Sequence, residues 1–363
     1  MPARRVQVPS RARRALAWAL LLFAGLQLVT ALAMERLLPG LRDAEYADKL
    51  TRLRTLTSQF PDRPTVLLLG SSRTMMAFQA GRVHARWEGR DVLAFNFGVR
   101  GGGPLLQLVV LRRLLADGIH PDFLLLEVLP PLFNDQGSRP LEEEWLQGSR
   151  LRISEMLRLR RYHTDPGRLV RQWLRRRWAP WATYGPELRG WLADGVPEAP
   201  LPPGNIECGP TDPHGYQPYF PDGIDAKRQA YYFDVARLQY GPAFGDFRLA
   251  DRPALALKDL LDFCQQQRIT VALVLMPEGS AFRALYPPAM RQGLEACLSK
   301  LSARRGIPVI DARAWVDEDG FWDTHHALPA GAAVFTERLV RQGLQPLLDR
   351  LVRPNRRSQI AQQ

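Results

Sequence analysis

The chain has 363 residues, enough for one large domain or two ordinary ones, and its 46% hydrophobic and 24% charged content is that of a globular protein. Its 49 Lys+Arg against 37 Asp+Glu leave a net charge of +12, but no zinc-finger spacing, RNA-binding aromatic signature or recognition-helix pattern accompanies it, which argues against nucleic acid. The three cysteines, Cys208, Cys264 and Cys297, make neither a disulfide framework nor a metal-ligand spacing.

Residues 1–14 carry Arg4, Arg5, Arg11, Arg13 and Arg14 and no acid. An apolar run over 15–34 follows, broken only by Gln27 and Thr30, about the length of a bilayer crossing. By the positive-inside rule the N-terminus stays in the cytoplasm and the remainder is exported. The run reads as a retained anchor, with a signal peptide cleaved at Ala31-Leu32-Ala33 as the alternative. Residues 35–60 read as a stalk, with an amphipathic helix from Leu41 to Phe60.

Thr65-Val66-Leu67-Leu68-Leu69-Gly70 reads as a strand buried on both faces. It opens onto Ser71-Ser72-Arg73-Thr74 and a polar helical stretch to about Gly89. Ser71 or Ser72 then lies near a helix N-cap, at the sheet edge where open α/β sheets bind ligands. An ordinary strand-to-helix turn with a serine cap is the plain alternative. A second strand, 91–97, runs into Gly98-Val99-Arg100-Gly101-Gly102-Gly103-Pro104, followed by a helix over 105–116 and a third strand over 123–129. Strands alternating with helices of this length predict βαβ units and a parallel sheet.

The alternation stops over 135–249, which reads as an insertion. It is rich in Arg and Trp from 150 to 191 and in Pro and Gly from 197 to 221. Its basic helices suit an anionic lipid surface, a lid over the site, or a solvated pair packed on the main domain. The pattern resumes with a helix over 254–267, a strand over 269–276, a helix over 290–304, a strand over 308–311 and a last amphipathic helix to about 348. Cys264 and Cys297 fall in these helices as small core residues. The polar tail, 351–363, reads as disordered.

Asp323-Thr324-His325-His326 stands just before the last helix. A hydroxyl early, with Asp and His late and close together, is one chain order for nucleophile, orienting acid and base. An imidazole takes the serine proton, and a carboxylate holds its tautomer and stabilises the imidazolium. A capping or surface histidine pair is the plain alternative, and two histidines with one Asp are too few ligands to predict a metal. The absence of a G-x-S-x-G elbow argues against an ordinary α/β-hydrolase.

In four blocks the chain resembles the SGNH (GDSL-like) hydrolases. Gly70-Ser71-Ser72 is similar to their Gly-Asp-Ser, with Ser71 where Asp is usual. Asn96-Phe97-Gly98-Val99-Arg100-Gly101 is similar to the second block, and Asp323-Thr324-His325-His326 to the last. The third block departs: Glu127-Val128-Leu129-Pro130-Pro131 stands where Gly-x-Asn-Asp is usual, and Asn134-Asp135 follows late. The resemblance covers about 60–134 and 250–348. It implies a flavodoxin-like three-layer α/β/α sandwich, built from 61–134 and 250–350 around the insertion. It gives Ser72 as nucleophile, His326 as base and Asp323 as orienting acid. Gly101 N–H joins Ser72 N–H in the oxyanion hole; Asn134 either supplies a third donor through a shifted loop or leaves the hole with two. Arg73 either contacts a substrate carboxylate or pairs with an acid in the fold. No cofactor or metal is implied.

The closer likeness is to membrane-anchored, exported members that work beside membrane-bound O-acyltransferases in alginate acetylation and teichoic-acid D-alanylation. The expectation is a single-pass protein of the inner membrane, anchored by 15–34, with its catalytic domain on the periplasmic or extracellular side. It acts as an esterase or O-acyltransferase on acyl esters, acetyl above all, of a polysaccharide. The reading from another class is a non-catalytic accessory protein that binds a glycan or a membrane-bound O-acyltransferase partner.

Overall fold

The structure, a computed structural model, describes residues 10–36, 39–134, 140–178, 180–185, 189–190, 193, 206–245 and 248–360. Contacts divide the chain into two compact units. One comprises Met1–Ala47, Gln147–Arg158 and Asp165–Pro200; the other comprises Asp48–Leu146, Leu159–Thr164 and Leu201–Gln363. The stretch 135–249, expected as one insertion, is therefore shared between them.

Helix α1 (Ser10–Arg36) contains Arg11–Glu35, a span long and apolar enough to cross a membrane. The helix expected from Leu41 is broken at Asp43 into α2 (Pro39–Arg42) and α3 (Ala44–Gln59). The Asp43 carboxylate accepts from the Tyr46 N–H at 3.3 Å and so restarts the helix. Next come β1 (Thr65–Gly70), buried throughout, and α4 (Ser72–Ala77). The helix expected to reach Gly89 thus stops after six residues. The Asn96 carboxamide ends it by donating to the carbonyls of Thr74, Met75 and Phe78 at 2.8, 3.2 and 2.7 Å.

The chain then forms a hairpin of β2 (Arg86–Trp87) and β3 (Arg90–Asp91). Glu88 and Gly89 at its tip have φ of 50° and 81°, a turn whose twist suits the flanking strands. Strand β4 (Leu93–Gly98), helix α5 (Pro104–Ala116) and strand β5 (Phe123–Glu127) lie close to their expected bounds. Helices α6 (Leu141–Trp145), α7 (Ile153–Leu159), α8 (Pro166–Trp178), α9 (Pro180–Thr183) and α10 (Ala226–Tyr240) occupy the irregular stretch. Regular alternation returns with α11 (Asp251–Gln266), β6 (Thr270–Leu275), α12 (Ser280–Ala284), α13 (Pro288–Arg305) and β7 (Val309–Asp311). Helices α14 (Pro329–Arg338) and α15 (Gln345–Ile360) close the chain, joined by a π-helical stretch over Leu339–Leu344. The tail expected to be disordered from 351 is helical to Ile360; residues of high helix propensity such as Arg350 and Leu351 carry on the turn begun at buried Leu344 and Leu348.

The five long strands form one parallel sheet in the order β4-β1-β5-β6-β7. Leu67 lies opposite Phe95 on one side and Leu124 on the other, and Leu125 lies opposite Ala272. Val66, Leu68, Phe123, Leu125, Ala272 and Val274 share one face and pack on Phe335, Leu339, Leu344 and Leu348. The residues between them turn to the opposite face. Burial on both faces is why these strands read as unbroken apolar runs. The chain adds β4 on one side of β1 and β5 on the other, which makes the C-terminal ends of these three strands a switch point, the place where open α/β sheets hold ligands.

Candidate active site

Gly70 ends β1 at that edge, and of the ten residues that follow only Ser72 keeps appreciable exposure. Ser71 caps α4, its hydroxyl accepting from the Arg73 N–H at 3.1 Å. The cap is itself held by Glu127, the last residue of β5. That carboxylate accepts from Ser71 N–H at 2.6 Å, Ser71 Oγ at 2.9 Å and Thr74 Oγ1 at 2.7 Å. So close an approach requires glycine at position 70, because a Cβ there would lie 2.0 Å from Thr74 Oγ1 and 2.3 Å from Glu127 Oε2. Glu127 fixes the direction in which Ser72 points.

The loop before α14 is closed by a bridge between Phe321 and Ala327 and by the Trp322 N–H donating to His326 O at 3.1 Å. Thr324 sits at its bend with φ 70°, a left-handed conformation that turns the chain back on itself. The Asp323 carboxylate accepts from the His326 backbone N–H at 2.8 Å and lies 2.7 Å from His326 Nδ1. His326 Nε2 lies 2.8 Å from Ser72 Oγ. The Trp322 ring stacks on His326, with centroids 5.2 Å apart and planes 12° from parallel. Ser72, His326 and Asp323, named from the sequence, are therefore brought into one hydrogen-bonded line.

Electrostatics favour an ionised Asp323. Burial pushes its carboxyl up, but His325, His326 and the His326 hydrogen bonds outweigh that and hold it below its ordinary value. His325 is buried, stacked on Phe282 with centroids 4.6 Å apart and edge-on to Tyr240. Burial pushes its pKa down to about 3, against the pull of Asp323, so the ring is neutral. Asp323, His325 and His326 are a group close enough to hold a metal ion. Both ring nitrogens of His326 already face Ser72 and Asp323, however, so a metal there would have to break that line.

The remaining expected site residues are placed differently. Arg73, considered for a substrate carboxylate, is 1% exposed and pairs with Glu278 at 3.0 Å, while donating to the carbonyls of Met276 and Pro277. Burial lowers its pKa, but Glu278 and Glu127 raise it further, so the guanidinium stays charged. This is the acid-pairing alternative, and no substrate reaches a side chain so enclosed. Asn134 is fully buried and committed to the fold: Nδ2 donates to Ala243 O at 2.9 Å and Oδ1 accepts from Arg248 N–H at 2.8 Å. Its carboxamide holds the chain beside Leu249. Asp135 lies outside the described residues.

Gly101 has φ 71°, a conformation that favours glycine. Its N–H and that of Ser72 face no hydrogen-bond acceptor among the described residues. The loop carrying Gly101 is tied down by Glu142, whose carboxyl accepts from the N–H groups of Gly103, Leu105 and Leu106. Burial pushes that carboxyl up to about 7 against those three bonds.

Glu127 and Glu278 were not singled out as site residues. The signal was available: each is a lone acid at or just past the end of a buried apolar strand, where an unpaired charge is too costly to leave.

A family model described only as a protein of unknown function (DUF1574) matches residues 41–150. No curated protein matches the chain. Among solved structures, the chain is similar to a proposed acylhydrolase from Bacteroides fragilis NCTC 9343, with 11% identity and a TM-score of 0.35 over 82% of this chain and 97% of that one. A likeness at that score carries no argument about chemistry.

Proposed function

We propose that this protein is a serine acyl-transfer enzyme of the SGNH (GDSL-like) type, with a flavodoxin-like sandwich, anchored in the inner membrane and working outside the cytoplasm. One observation carries the reading: the unbroken line from Ser72 through His326 to Asp323. In the first step Ser72 Oγ attacks the carbonyl carbon of an ester while His326 Nε2 takes the hydroxyl proton. The negative charge that forms on the carbonyl oxygen is met by the N–H groups of Ser72 and Gly101. Collapse breaks the bond to the leaving alkoxide, which takes the proton from His326 and departs as alcohol. A second hydroxyl, of water or of a polysaccharide, gives its proton to His326 and attacks the acyl-serine; the acyl–Oγ bond then breaks and Ser72 Oγ takes that proton back from His326. Asp323 stays ionised and steadies the imidazolium at both stages. The substrate class is acyl esters, acetyl above all, of a cell-surface or secreted polysaccharide, and a membrane-bound O-acyltransferase is the partner this reading implies.

Asn134 favours a second reading, because its commitment to Ala243 and Arg248 leaves the oxyanion hole with two donors. One missing donor costs about a hundredfold or more in rate, and a protein so weakened serves as a non-catalytic accessory that binds glycan or partner. Labelling of the full chain in detergent with a fluorophosphonate, mapped by mass spectrometry, separates the two. Labelling at Ser72 that disappears in His326→Ala supports the enzyme; a folded protein whose Ser72 stays unlabelled overturns it in favour of the accessory.

A further inference from the structure

The end of α1 is fastened within its own unit. Glu35, where the apolar span stops, pairs with Arg177 at 2.6 Å and Arg42 at 3.2 Å, and accepts from the Ile153 N–H at 3.4 Å. Met34 packs with Leu41 and Tyr184, and the Tyr184 hydroxyl donates to Ser149 O at 2.8 Å. Arg150 pairs with Asp43 and Glu45. Two arms of chain distant in sequence are thus fixed at the point where α1 would leave a bilayer. A bilayer crossed by α1 would therefore end beside α7 and α8.

Their outward faces have the chemistry such a surface selects. On α8, Leu169 and Trp173 are buried, while Arg171, Leu174, Arg175 and Trp178 fall within an arc of about 100° on the other side. Leu174 is 53% exposed and Trp178 84%. On α7, Ile153 and Leu157, one turn apart, are 51% and 52% exposed. Arg158 and Arg175 are exposed and have no acidic partner among the described residues. Large apolar side chains left open to water are costly, whereas Trp settles at the headgroup level and Arg is drawn to anionic lipid.

We propose that the outward faces of α7 and α8 form a collar that rests on the anionic phospholipid surface of the bilayer α1 crosses. The proposal depends on α1 being an anchor and is independent of the chemistry at Ser72. Ile153, Leu157, Leu174 and Trp178 enter the headgroup layer, and Arg158 and Arg175 meet lipid phosphates, with Arg171, which pairs with Asp165 at 3.4 Å, beside them.

The test uses the full chain in nanodiscs of phosphatidylcholine with and without phosphatidylglycerol. Subtracting the fluorescence of Trp178→Phe from that of the parent isolates Trp178; subtracting Trp18→Phe isolates Trp18, inside the span. With phosphatidylglycerol present, the Trp178 signal is expected to shift to shorter wavelength and to lose most of its intensity to lipids brominated on their chains. Arg158→Gln and Arg175→Gln should each lower the ratio of seated to lifted collar about fivefold. A Trp178 signal quenched by iodide but not by bromolipid overturns the collar while leaving the anchor standing, provided Trp18 is quenched by the lipid. Shielding of Trp178 from both quenchers also overturns it and assigns the face to protein. Failure at Trp18 overturns the anchor itself.

Discussion

Glu127→Ala removes the acceptor of three hydrogen bonds and leaves the Ser71 N–H without one. Glu127 is 3% exposed, so water does not readily replace it. Bonds to a charged group are worth about 1.5–3 kcal/mol each and do not add fully, which sets the loss at roughly 3–5 kcal/mol. The loss should appear as a lower urea midpoint with an unchanged slope. The same change frees the Ser71 cap, and with it the first turn of α4. A nucleophile displaced by about 1 Å loses about a hundredfold in rate, so fluorophosphonate labelling of Ser72 should fall by that order. Thr74→Val removes only one of the three bonds and should cost about 1–2 kcal/mol with labelling close to the parent's. A Glu127→Ala protein that unfolds at the parent's midpoint and labels at the parent's rate would refute the claim that Glu127 aims Ser72.

Arg73→Met strands Glu278 in the interior and should destabilise the protein by about 3–5 kcal/mol, whereas Arg73→Met with Glu278→Met should recover most of that; equal losses in urea unfolding would disprove the pairing. His325 sets a pH dependence. Its folded pKa is pushed down to about 3 from an ordinary 6.5, so the unfolded chain binds the proton first as pH falls. Its contribution is present above about pH 6.5 and lost towards pH 3, by up to roughly 5 kcal/mol. Relative to the parent, His325→Phe should flatten the fall in melting temperature across that window; the opposing effect of Glu142, raised to about 7, cancels in the comparison. Gly101→Ala meets both a positive φ and Trp145 Cβ at 3.1 Å. It should cost about 1–2 kcal/mol and slow Ser72 labelling, and an unchanged labelling rate would remove Gly101 from the oxyanion hole.

The sheet was legible because a strand covered on both faces must be apolar along its middle, as Val66–Leu69 and Phe123–Leu126 are. The line of Ser72, His326 and Asp323 was legible because a hydroxyl, an imidazole and a carboxylate are each a particular residue type, and the spacing of Asp323 and His326 is local. What was not legible depends on partners distant in sequence. Helix α4 carries no stop signal of its own; the signal is the carboxamide of Asn96 on the neighbouring strand. Glu127 read as the loss of a familiar block, although it holds the Ser71 cap of α4. Nothing local to Gln147–Arg158 announces that it belongs with the end of α1, since its ties run through Arg150 to Asp43 and Glu45. Asn134 was found by its residue type alone, and its type suits a buried backbone clamp equally well.

The line through Ser72 joins groups 254 positions apart. Ser72 leaves the ribosome among the first quarter of the chain, and its base among the last eighth. During that interval the serine has no imidazole to take its proton and is an ordinary hydroxyl. Under the proposed function, chemistry therefore begins only after the last strand, the Asp323 loop and α14 have docked, and a chain halted before that point is inert. Under that proposal the order of the elements acts as a safety catch on Ser72, released by completion of the fold rather than by any separate factor.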